Sequence, residues 1–258
     1  MTTTDSILPA PVGPAPGRSR RRRSLAHTKW PVLIIFLPPA LVLFTLLVIL
    51  PIGEAAWYSF FSWNGYGEPS KWVDFRNYQL IFRNSAFTKA LINNGLIIAV
   101  SIVIQLPLAL WLASMVTKQI RGALFFRLIF FLPYVLADVA AGMIWRFVYD
   151  GDFGLVAGIW HFFGAEPPFV LANPDTAMSA ILAVVVWKYF GFHMMLFIAG
   201  LQAIDRSILE AADIDGATGW QKFRLVTLPM LGSTVRLSVF FAVIGSLQLF
   251  DLIMPLTG

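Results

Sequence analysis

Long apolar stretches are the feature that most limits what this chain can fold into. About 20 apolar residues in helical conformation cross the ~30 Å hydrocarbon core of a bilayer. Membrane-spanning β-strands need only about ten residues of alternating polarity, a pattern that these stretches lack. The sequence therefore predicts an all-α membrane protein with five spans. The apolar stretches are 32–50, 91–116, 124–148, 177–201 and 231–255.

Composition supports this prediction and excludes other classes of protein. Hydrophobic residues make up 58% of the chain and charged residues 13%, against about 25% charged residues in soluble domains. The chain has no Cys and three His that are far apart in sequence, so we expect no disulfide and no metal site. It contains no phosphate-binding loop, zinc-protease motif or nucleophile elbow. We therefore expect no enzyme activity in this chain.

Basic residues set the predicted orientation. Five Arg lie within residues 18–23, just before the first apolar stretch. If the N-terminus is cytoplasmic, 13 of the 19 Lys and Arg residues lie inside and five outside, as the positive-inside rule requires. The Arg run could also be a nucleic-acid arm, but a cytoplasmic anchor is the simpler interpretation. We expect the chain to contact membrane lipid and not to bind nucleic acid.

The same patterns divide the chain into regions. The outer loop is rich in aromatic residues, which form either an interfacial belt or a docking surface for an external partner. We expect Pro38 and Pro39 to bend the first helix. The predicted regions are a disordered basic cytoplasmic tail, 1–29; the first transmembrane helix, 30–52; an external loop, 53–90; and the main helical core, 91–258, with an inner loop at 205–229.

The inner loop carries the most informative motif. Ser207 and Glu210 have the spacing of a capping box, which predicts that a short helix begins there. Gly216 is suited to the left-handed conformation that ends such a helix. A second amphipathic helix, 220–228, should follow. The sequence therefore predicts a helix–turn–helix at the inner face of the membrane.

This loop resembles the EAA loop of binding-protein-dependent ABC importer permeases. The family pattern is EAA, three residues, G, nine residues, I, one residue, LP, and the sequence departs from it only by Val226 in place of Ile. The resemblance covers roughly residues 31–258, and Gly200–Ile204 is typical of the sugar-importer branch. Asp205 replaces a common Pro. The matching residues are Glu210, Ala211, Ala212, Gly216, Leu228 and Pro229.

The resemblance implies a MetI-like fold and a division of labour between subunits. The chain would be a permease subunit in the bacterial inner membrane that forms half of the pathway for a sugar or related solute. Its partners would be a second permease subunit, an external solute-binding protein and a cytoplasmic ATPase dimer. ATP and Mg would bind to the ATPase, and this chain would hold no cofactor. The sixth helix of the family is not in the sequence, so we expect either a truncated chain or a natural lack of that helix.

The EAA loop would dock on the ATPase. Two small residues, Ala211 and Ala212, would let the partner approach closely. Glu210 would either pair with a basic residue of the partner or cap its own helix. Gly216 would set the angle between the two short helices.

Polar residues inside the predicted spans are candidates for the substrate pathway, because a central Asp or Lys costs about 2.5–3.5 kcal/mol in lipid. We expect Asp138 and Lys188 to form a buried pair, and exchanging the two charges should then restore the assembly that either reversal alone removes. Trp187 and Tyr189 flank Lys188 and could contact a sugar or simply pack. Further candidates, which would also suit hydrogen bonds between helices, are Asn94, Gln105, His193, Gln248 and Asp251.

Other classes of membrane protein fit the sequence less well. A secondary transporter would need an acidic residue that serves ions, such as Asp138, and often an inverted repeat, which we do not find. A membrane enzyme would need a nucleophile and base or a metal centre. A non-catalytic scaffold would show no transport.

Overall fold

The computed structural model describes residues 26–117 and 122–258. Within these residues the chain is helical, and the β-pairing is confined to one isolated bridge between Phe61 and Trp72. The prediction of an all-α protein is confirmed. Residues 1–25 of the predicted tail lie outside the described residues, and so do Lys118 and Arg121 of the predicted inner turn. Residues 26–29, which we assigned to the tail, belong to the first helix.

The helices follow one another with few long connections. Three π-helical turns, Thr45–Ile49, Ser101–Gln105 and Phe223–Thr227, join consecutive α-helices. In chain order the α-helices are α1 Ala26–Phe44, α2 Leu50–Tyr58, α3 Arg76–Arg83, α4 Ser85–Val100, α5 Leu106–Thr117, α6 Ala123–Val135, α7 Asp138–Val148, α8 Leu155–Phe162, α9 Pro174–Gln202, α10 Arg206–Ile214, α11 Gly219–Lys222, α12 Leu228–Met230, α13 Gly232–Leu247 and α14 Phe250–Thr257.

Each π-helical turn ends two residues before a proline: Pro51, Pro107 or Pro229. A proline inside a helix has no N–H to donate, and its ring clashes with the carbonyl four residues earlier. The wider turn relieves this clash, because the residue before each proline donates its N–H to the carbonyl five residues back. The bend expected at Pro38 and Pro39 is not a break, since the helix runs through both residues.

Three helices are long and apolar enough to cross a membrane, or five if each of two bent helix pairs is one span. The predicted first span ends later than expected, at Tyr58 rather than residue 52. The third apolar stretch forms α6 and α7, which meet at 97°. The fifth stretch is also divided, because α13 ends at Leu247 and α14 begins at Phe250. The helical segment Gly219–Met230, which runs from α11 to α12, meets α13 at an angle of 68°.

The chain separates into two compact units, one ending at Ile81 and the other comprising Phe82–Gly258. In the first unit, the segment after α2 is held by aromatic packing. Phe60 stacks on Trp72 with ring centroids 5.3 Å apart. The side-chain amide of Asn77 donates to the carbonyls of Ser59 and Phe61 at 2.8 and 2.9 Å. The aromatic residues of the predicted outer loop therefore pack on one another here.

In the second unit, α9 is the central helix. One core lies between α5 and α9, where four residues of α5 face Met194, Phe197 and Ile198. Spacings of three and four residues place these four side chains on one face of the helix. The alanines among them let the helices approach closely, as small residues do in membrane proteins. The α5 residues are Leu106, Ala109, Ala113 and Val116.

A second core lies where α7, α9 and α14 meet. Ala141 of α7 and Val184 of α9 are fully buried, and Leu252 and Leu256 of α14 are buried against them. Helix α14 packs along α7. The two cores lie at different heights along α9. Between these two heights, the break between α6 and α7 places Asp138 beside Lys188 of α9.

Candidate functional site

A cavity of about 1170 Å³ opens between the helices of the second unit. Its wall is formed by the π-helical turn before α5, the break between α6 and α7, the middle of α9, the second half of α13 and the start of α14. The lining residues are Ser101, Gln105, Phe131, Tyr134, Val135, Leu136, Ala137, Asp138, Val185, Tyr189, Phe192, His193, Phe241, Ala242, Ile244, Gly245, Ser246, Gln248, Leu249 and Asp251.

The break between α6 and α7 is held by Lys188, which reaches it from α9. The Lys188 ammonium donates to the carbonyl of Leu136 at 2.6 Å and to that of Pro133 at 3.4 Å. It also lies 3.0 Å from Oδ1 of Asp138. The cation thus meets the C-terminal end of α6, and the carboxylate lies in the first turn of α7. Both placements are favourable for the helix dipoles.

The two members of this pair have different surroundings. Lys188 is 1% exposed, whereas the Asp138 side chain is 36% exposed and lines the cavity. The hydroxyl of Tyr189 also donates to Asp138 Oδ1, at 3.0 Å. Two donors therefore share one carboxylate oxygen, while no hydrogen bond from the described residues reaches the other oxygen.

Close packing of α6 on α9 fixes this arrangement. Gly191 lies against the backbone of Phe130, and a Cβ at this position would clash with the Phe130 carbonyl oxygen. One helical turn of α9 therefore carries both the glycine that permits the contact and Lys188, which holds the break.

Aromatic rings form one side of the cavity. Tyr134 of α6 and Phe192 of α9 stack with centroids 4.8 Å apart and an interplanar angle of 22°. Phe192 also meets Phe241 of α13 edge to face. Such surfaces suit a solute with apolar faces, and the hydroxyl of Tyr134 adds a polar group beside them.

The polar side of the cavity includes the π-helical turn Ser101–Gln105. Gln105 is 1% exposed, and its side-chain carbonyl oxygen has no hydrogen-bond partner among the described residues. His193 is buried, and its Nδ1 lies 2.7 Å from the hydroxyl of Ser238, which links α9 to α13. π-Helical turns are frequent at functional sites, and an unpaired buried acceptor is costly unless a ligand or solvent satisfies it.

The inner loop forms two short helices, α10 and α11. The capping box predicted at Ser207 and Glu210 is wrong, because α10 begins at Arg206 and its cap is Asp205. The Asp205 carboxylate accepts the backbone N–H of Ser207 at 3.0 Å. This bond to the charged form lowers the pKa of Asp205 below its ordinary value. The short side chain of Asp205 therefore satisfies an N–H that the helix leaves unpaired.

The turn after α10 has the predicted left-handed glycine. Gly216 has φ +75°, and the N–H of Ala217 donates to the carbonyl of Ala212 at 3.0 Å. These two features define a Schellman ending. A capping box starts α11, where the side chains of Thr218 and Gln221 each accept the other residue's backbone N–H.

An ion pair ties the two loop helices together. Lys222 of α11 donates to Asp213 of α10 at 2.5 Å. Ala211 is exposed, but Ala212 is 8% exposed and packs inside the loop. Only one of the two alanines is thus at the surface, contrary to the expectation that both are. Glu210 is exposed and makes no ion pair or hydrogen bond with the described residues.

The family model described as "Binding-protein-dependent transport system inner membrane component" matches residues 105–257. This match extends from the π-helical wall of the cavity through the loop to α14. The chain belongs to this family. It is a transport permease component with several membrane-spanning helices rather than a catalytic subunit.

Similar proteins include several permeases. The chain is 32% identical to the diacetylchitobiose uptake system permease protein NgcF of Streptomyces coelicolor, over 97% of this chain and 74% of the relative. It is 30% identical to the sulfoquinovosyl glycerol transport system permease protein SmoG of Agrobacterium fabrum, over 87% and 73%. The fold matches a bacterial ABC transporter involved in the import of the acidic polysaccharide alginate, with TM-score 0.74, 20% identity and coverage of 90% and 80%.

In this permease, the candidate residues predicted from sequence fall into two groups. Six line the cavity: Gln105, Asp138, Tyr189, His193, Gln248 and Asp251. Three do not. Lys188 lies behind the wall, Trp187 packs against Trp145, and Asn94 donates to the carbonyl of Ala90 in its own helix. Leu228 and Pro229 form the start of α12, directly after the third π-helical turn.

Some residues of the site were missing from the sequence prediction. Ser101, Tyr134 and Phe192 line the cavity, and Ser238 holds His193. The available sequence signal for the π-helical turn was Pro107, which lies two residues after the turn ends. Pro229 lies at the same distance from the end of another π-helical turn. The described residues contain no group of three or more His, Cys, Asp or Glu side chains that could hold a metal ion.

Proposed function

We propose that this permease forms half of the translocation pathway of an ATP-driven importer for a sugar or related solute. It would lie in the bacterial inner membrane with its N-terminus in the cytoplasm. A second permease subunit would complete the pathway, and an external solute-binding protein would deliver the solute. A cytoplasmic ATPase dimer would bind ATP and Mg and dock on the loop. The main support is the loop's two-helix shape, with its exposed apolar surface.

Exposed apolar side chains make the loop suitable for docking. Ile214 is 87% exposed, Trp220 67% and Leu225 69%. Exposed apolar groups clustered within so short a segment indicate a protein or membrane contact. Ala211 adds a small surface residue, and Glu210 is free to meet a basic residue of the ATPase. We therefore assign Glu210 to the partner rather than to its own helix.

The chain connects the loop directly to the cavity. Helix α11 continues through the π-helical turn into α12, which begins with Leu228 and Pro229 and is followed by Leu231 and α13. Helix α13 then carries Phe241 and Gly245 to the cavity wall. A displacement of the loop by a closing ATPase would thus move one wall of the cavity as a rigid helix. This is the two-state coupling that alternating access requires.

The cavity suits a solute that has both hydroxyl groups and apolar faces. Tyr134 and Phe192 provide a stacked aromatic surface, and Gln105, Asp138 and Asp251 provide acceptors at the wall. We assign these residues to the pathway, together with Tyr189, His193 and Gln248. Lys188 has a structural role, because its ammonium is occupied by the α6–α7 break. Uptake systems for diacetylchitobiose and sulfoquinovosyl glycerol among the relatives fit this substrate class.

The experiment compares Gly216→Ala with Gly219→Ala in the complete transporter, reconstituted in proteoliposomes. A Cβ added to either glycine would meet no atom within 4 Å beyond the adjacent chain, so neither substitution clashes, but only Gly216 has positive φ. A left-handed residue with a Cβ costs about 1–2 kcal/mol. We expect Gly216→Ala to lower transport and transport-coupled ATP hydrolysis roughly five- to thirtyfold, while Gly219→Ala stays near the native level.

Co-purification is the second readout. A tagged native chain should bring an ATPase and a second permease out of mild detergent. Gly216→Pro, which forbids the observed φ, should lose the ATPase and keep the second permease. Transport by the native chain in the absence of an ATPase would contradict the proposal. So would full coupling of ATP hydrolysis to transport in both Gly216 variants.

A further inference from the structure

We propose that the cavity selects an uncharged polyhydroxylated solute over an acidic one, and that Asp251 sets this preference. The inference rests on the proposed function, because it concerns what enters the same cavity. The relatives leave the charge of the solute open, since diacetylchitobiose is uncharged whereas sulfoquinovosyl glycerol and alginate are acidic.

The described lining residues carry formal charge at Asp138 and Asp251, and include no Lys or Arg. Lys188 compensates Asp138, and it does so from behind the wall, where it is 1% exposed and bonded to two carbonyls. Its ammonium is therefore not available to a solute. Asp251 is exposed and makes no ion pair with any described residue. This half of the cavity thus has one negative charge in excess.

Helix ends do not offset this charge. An anionic solute could use the free N–H groups at the start of a helix, and α7 and α14 both begin at the cavity. Each of these helices already carries a carboxylate of this chain in its first turn, Asp138 in α7 and Asp251 in α14. A phosphate, sulfonate or carboxylate would meet these groups at close range and without a cation.

An uncharged sugar meets no such obstacle. Its hydroxyl groups can donate to the second oxygen of Asp138, to Asp251 and, once the wall adjusts, to the unpartnered carbonyl oxygen of Gln105. Its apolar faces can lie on the stacked rings of Tyr134 and Phe192. The wall therefore offers acceptors and aromatic surface, which is the combination that donor-rich neutral solutes need.

The charge of the cavity can be measured directly because the chain has no Cys. Gly245 lines the cavity and has room for a side chain, so Gly245→Cys places a single thiol there. In the assembled transporter, this thiol is treated with a cationic and an anionic methanethiosulfonate of similar size. Labelling is read on this chain by mass, and each rate is divided by the rate of the same reagent with a free thiol.

We expect the normalised rate to favour the cationic reagent roughly three- to tenfold. Adding Asp251→Asn should bring the ratio close to one. Asp175→Asn is the matched control, because Asp175 also lies in the first turn of a helix but not at the cavity. Gly158→Cys on α8, which is outside the cavity and equally free of clashes, reports the ratio at an unrelated surface.

A ratio that favours the anionic reagent, or one that Asp251→Asn does not change, overturns the proposal. Protection of the thiol is a second measurement. Diacetylchitobiose should slow labelling more than an alginate disaccharide does, and stronger protection by the alginate disaccharide would contradict the inference. These readouts need neither ATP hydrolysis nor delivery by a binding protein. The Gly216 experiment tests the proposed function separately, so the two proposals can fail independently.

Discussion

The chain changes direction sharply at two places that differ in what holds them. At the α6–α7 break, the stabilising group is Lys188, more than 50 residues further along the chain. At the α10–α11 turn, the stabilising groups all lie within the loop, from Asp205 to Lys222. One bend thus depends on tertiary packing, and the other is determined locally.

This difference follows from the surroundings. At the α6–α7 break the Lys188 ammonium is buried, with its residue 1% exposed. An unpaired carbonyl or charge in such surroundings is costly, so one buried cation from another helix satisfies several groups at once. The loop is exposed, and water can replace any contact that is lost. Left-handed Gly216 and short capping side chains are then sufficient. The comparison predicts that single substitutions lower the stability of the fold strongly at the break and only weakly in the loop.

The largest effect is expected for Lys188→Met. This change removes the ammonium but keeps much of the side-chain volume. The carbonyls of Pro133 and Leu136 lose their donor, and Asp138 keeps only the hydroxyl of Tyr189. Removing one partner of a buried pair costs about 3–5 kcal/mol, and the partial exposure of Asp138 favours the lower end. Denaturant unfolding of the purified chain in detergent would measure the loss.

The matched control is Lys222→Met, which removes the same group from the exposed pair with Asp213. Exposed pairs contribute about 0–1 kcal/mol, and these side chains are 27% and 57% exposed. Equal effects of the two substitutions would show that the buried and exposed bends are not held differently.

Exchange of the two charges is a sharper form of this test. The sequence predicts that Asp138→Lys combined with Lys188→Asp restores assembly. The structure changes this expectation, because the group at position 188 also donates to two carbonyls. An Asp at position 188 has no group that donates, so both carbonyls would lose this partner. We expect the double variant to unfold as readily as Lys188→Met, measured in the same way, and full recovery would mean that the carbonyl bonds contribute little.

The fold was predictable where the signal is local or compositional. Apolar stretches of membrane-spanning length predict the all-α membrane protein, and Gly216 together with the amphipathic stretch 220–228 predicts the two-helix loop. Gly216 takes the left-handed conformation that its position indicated. The start of α10 was misassigned by two residues, because Asp205 and Ser207 are both good capping residues and only geometry decides between them.

The site was predictable only in part. Intramembrane polarity identified six lining residues, but Trp187, Lys188 and Tyr189 are consecutive and face different surroundings. About 100° separates successive side chains on a helix, and apolar side chains lie on every side of α9, so its sequence does not indicate which side meets the cavity. The α6–α7 break was also hidden, because its stabilising cation comes from another helix.

A smaller effect is expected for Thr218→Ala in the loop. Removing a capping side chain costs about 1 kcal/mol, and the loss should stay within α11 because the capping box is local. Hydrogen exchange should become faster in residues 219–222, with no change in α6 or α7. Thr218→Ser keeps the hydroxyl and should retain slow exchange. Faster exchange that extends to the cavity helices would show that the loop is not independent of the core.

The smallest effect concerns pH and Asp205. Its carboxylate accepts the N–H of Ser207, which lowers its pKa below the ordinary value of 3.8. A carboxylate whose pKa is lower in the folded state than in the unfolded state stabilises the fold at pH values above its unfolded-state pKa. This contribution is lost as the pH falls through the folded-state pKa. Because the group is exposed, the effect should be confined to the first turn of α10.

Asp205→Asn keeps an acceptor at the same position but cannot titrate. Hydrogen exchange in α10, corrected for its intrinsic dependence on pH, should become faster below pH 3.8 in the native chain and stay constant in this variant. Asp205→Ala should exchange faster at every pH. If the native chain shows no such acid response, Asp205 is not the cap in solution, and the helix start at Ser207 and Glu210 that the sequence indicates would be preferred. The loop would still be locally determined, but by a different pair of residues.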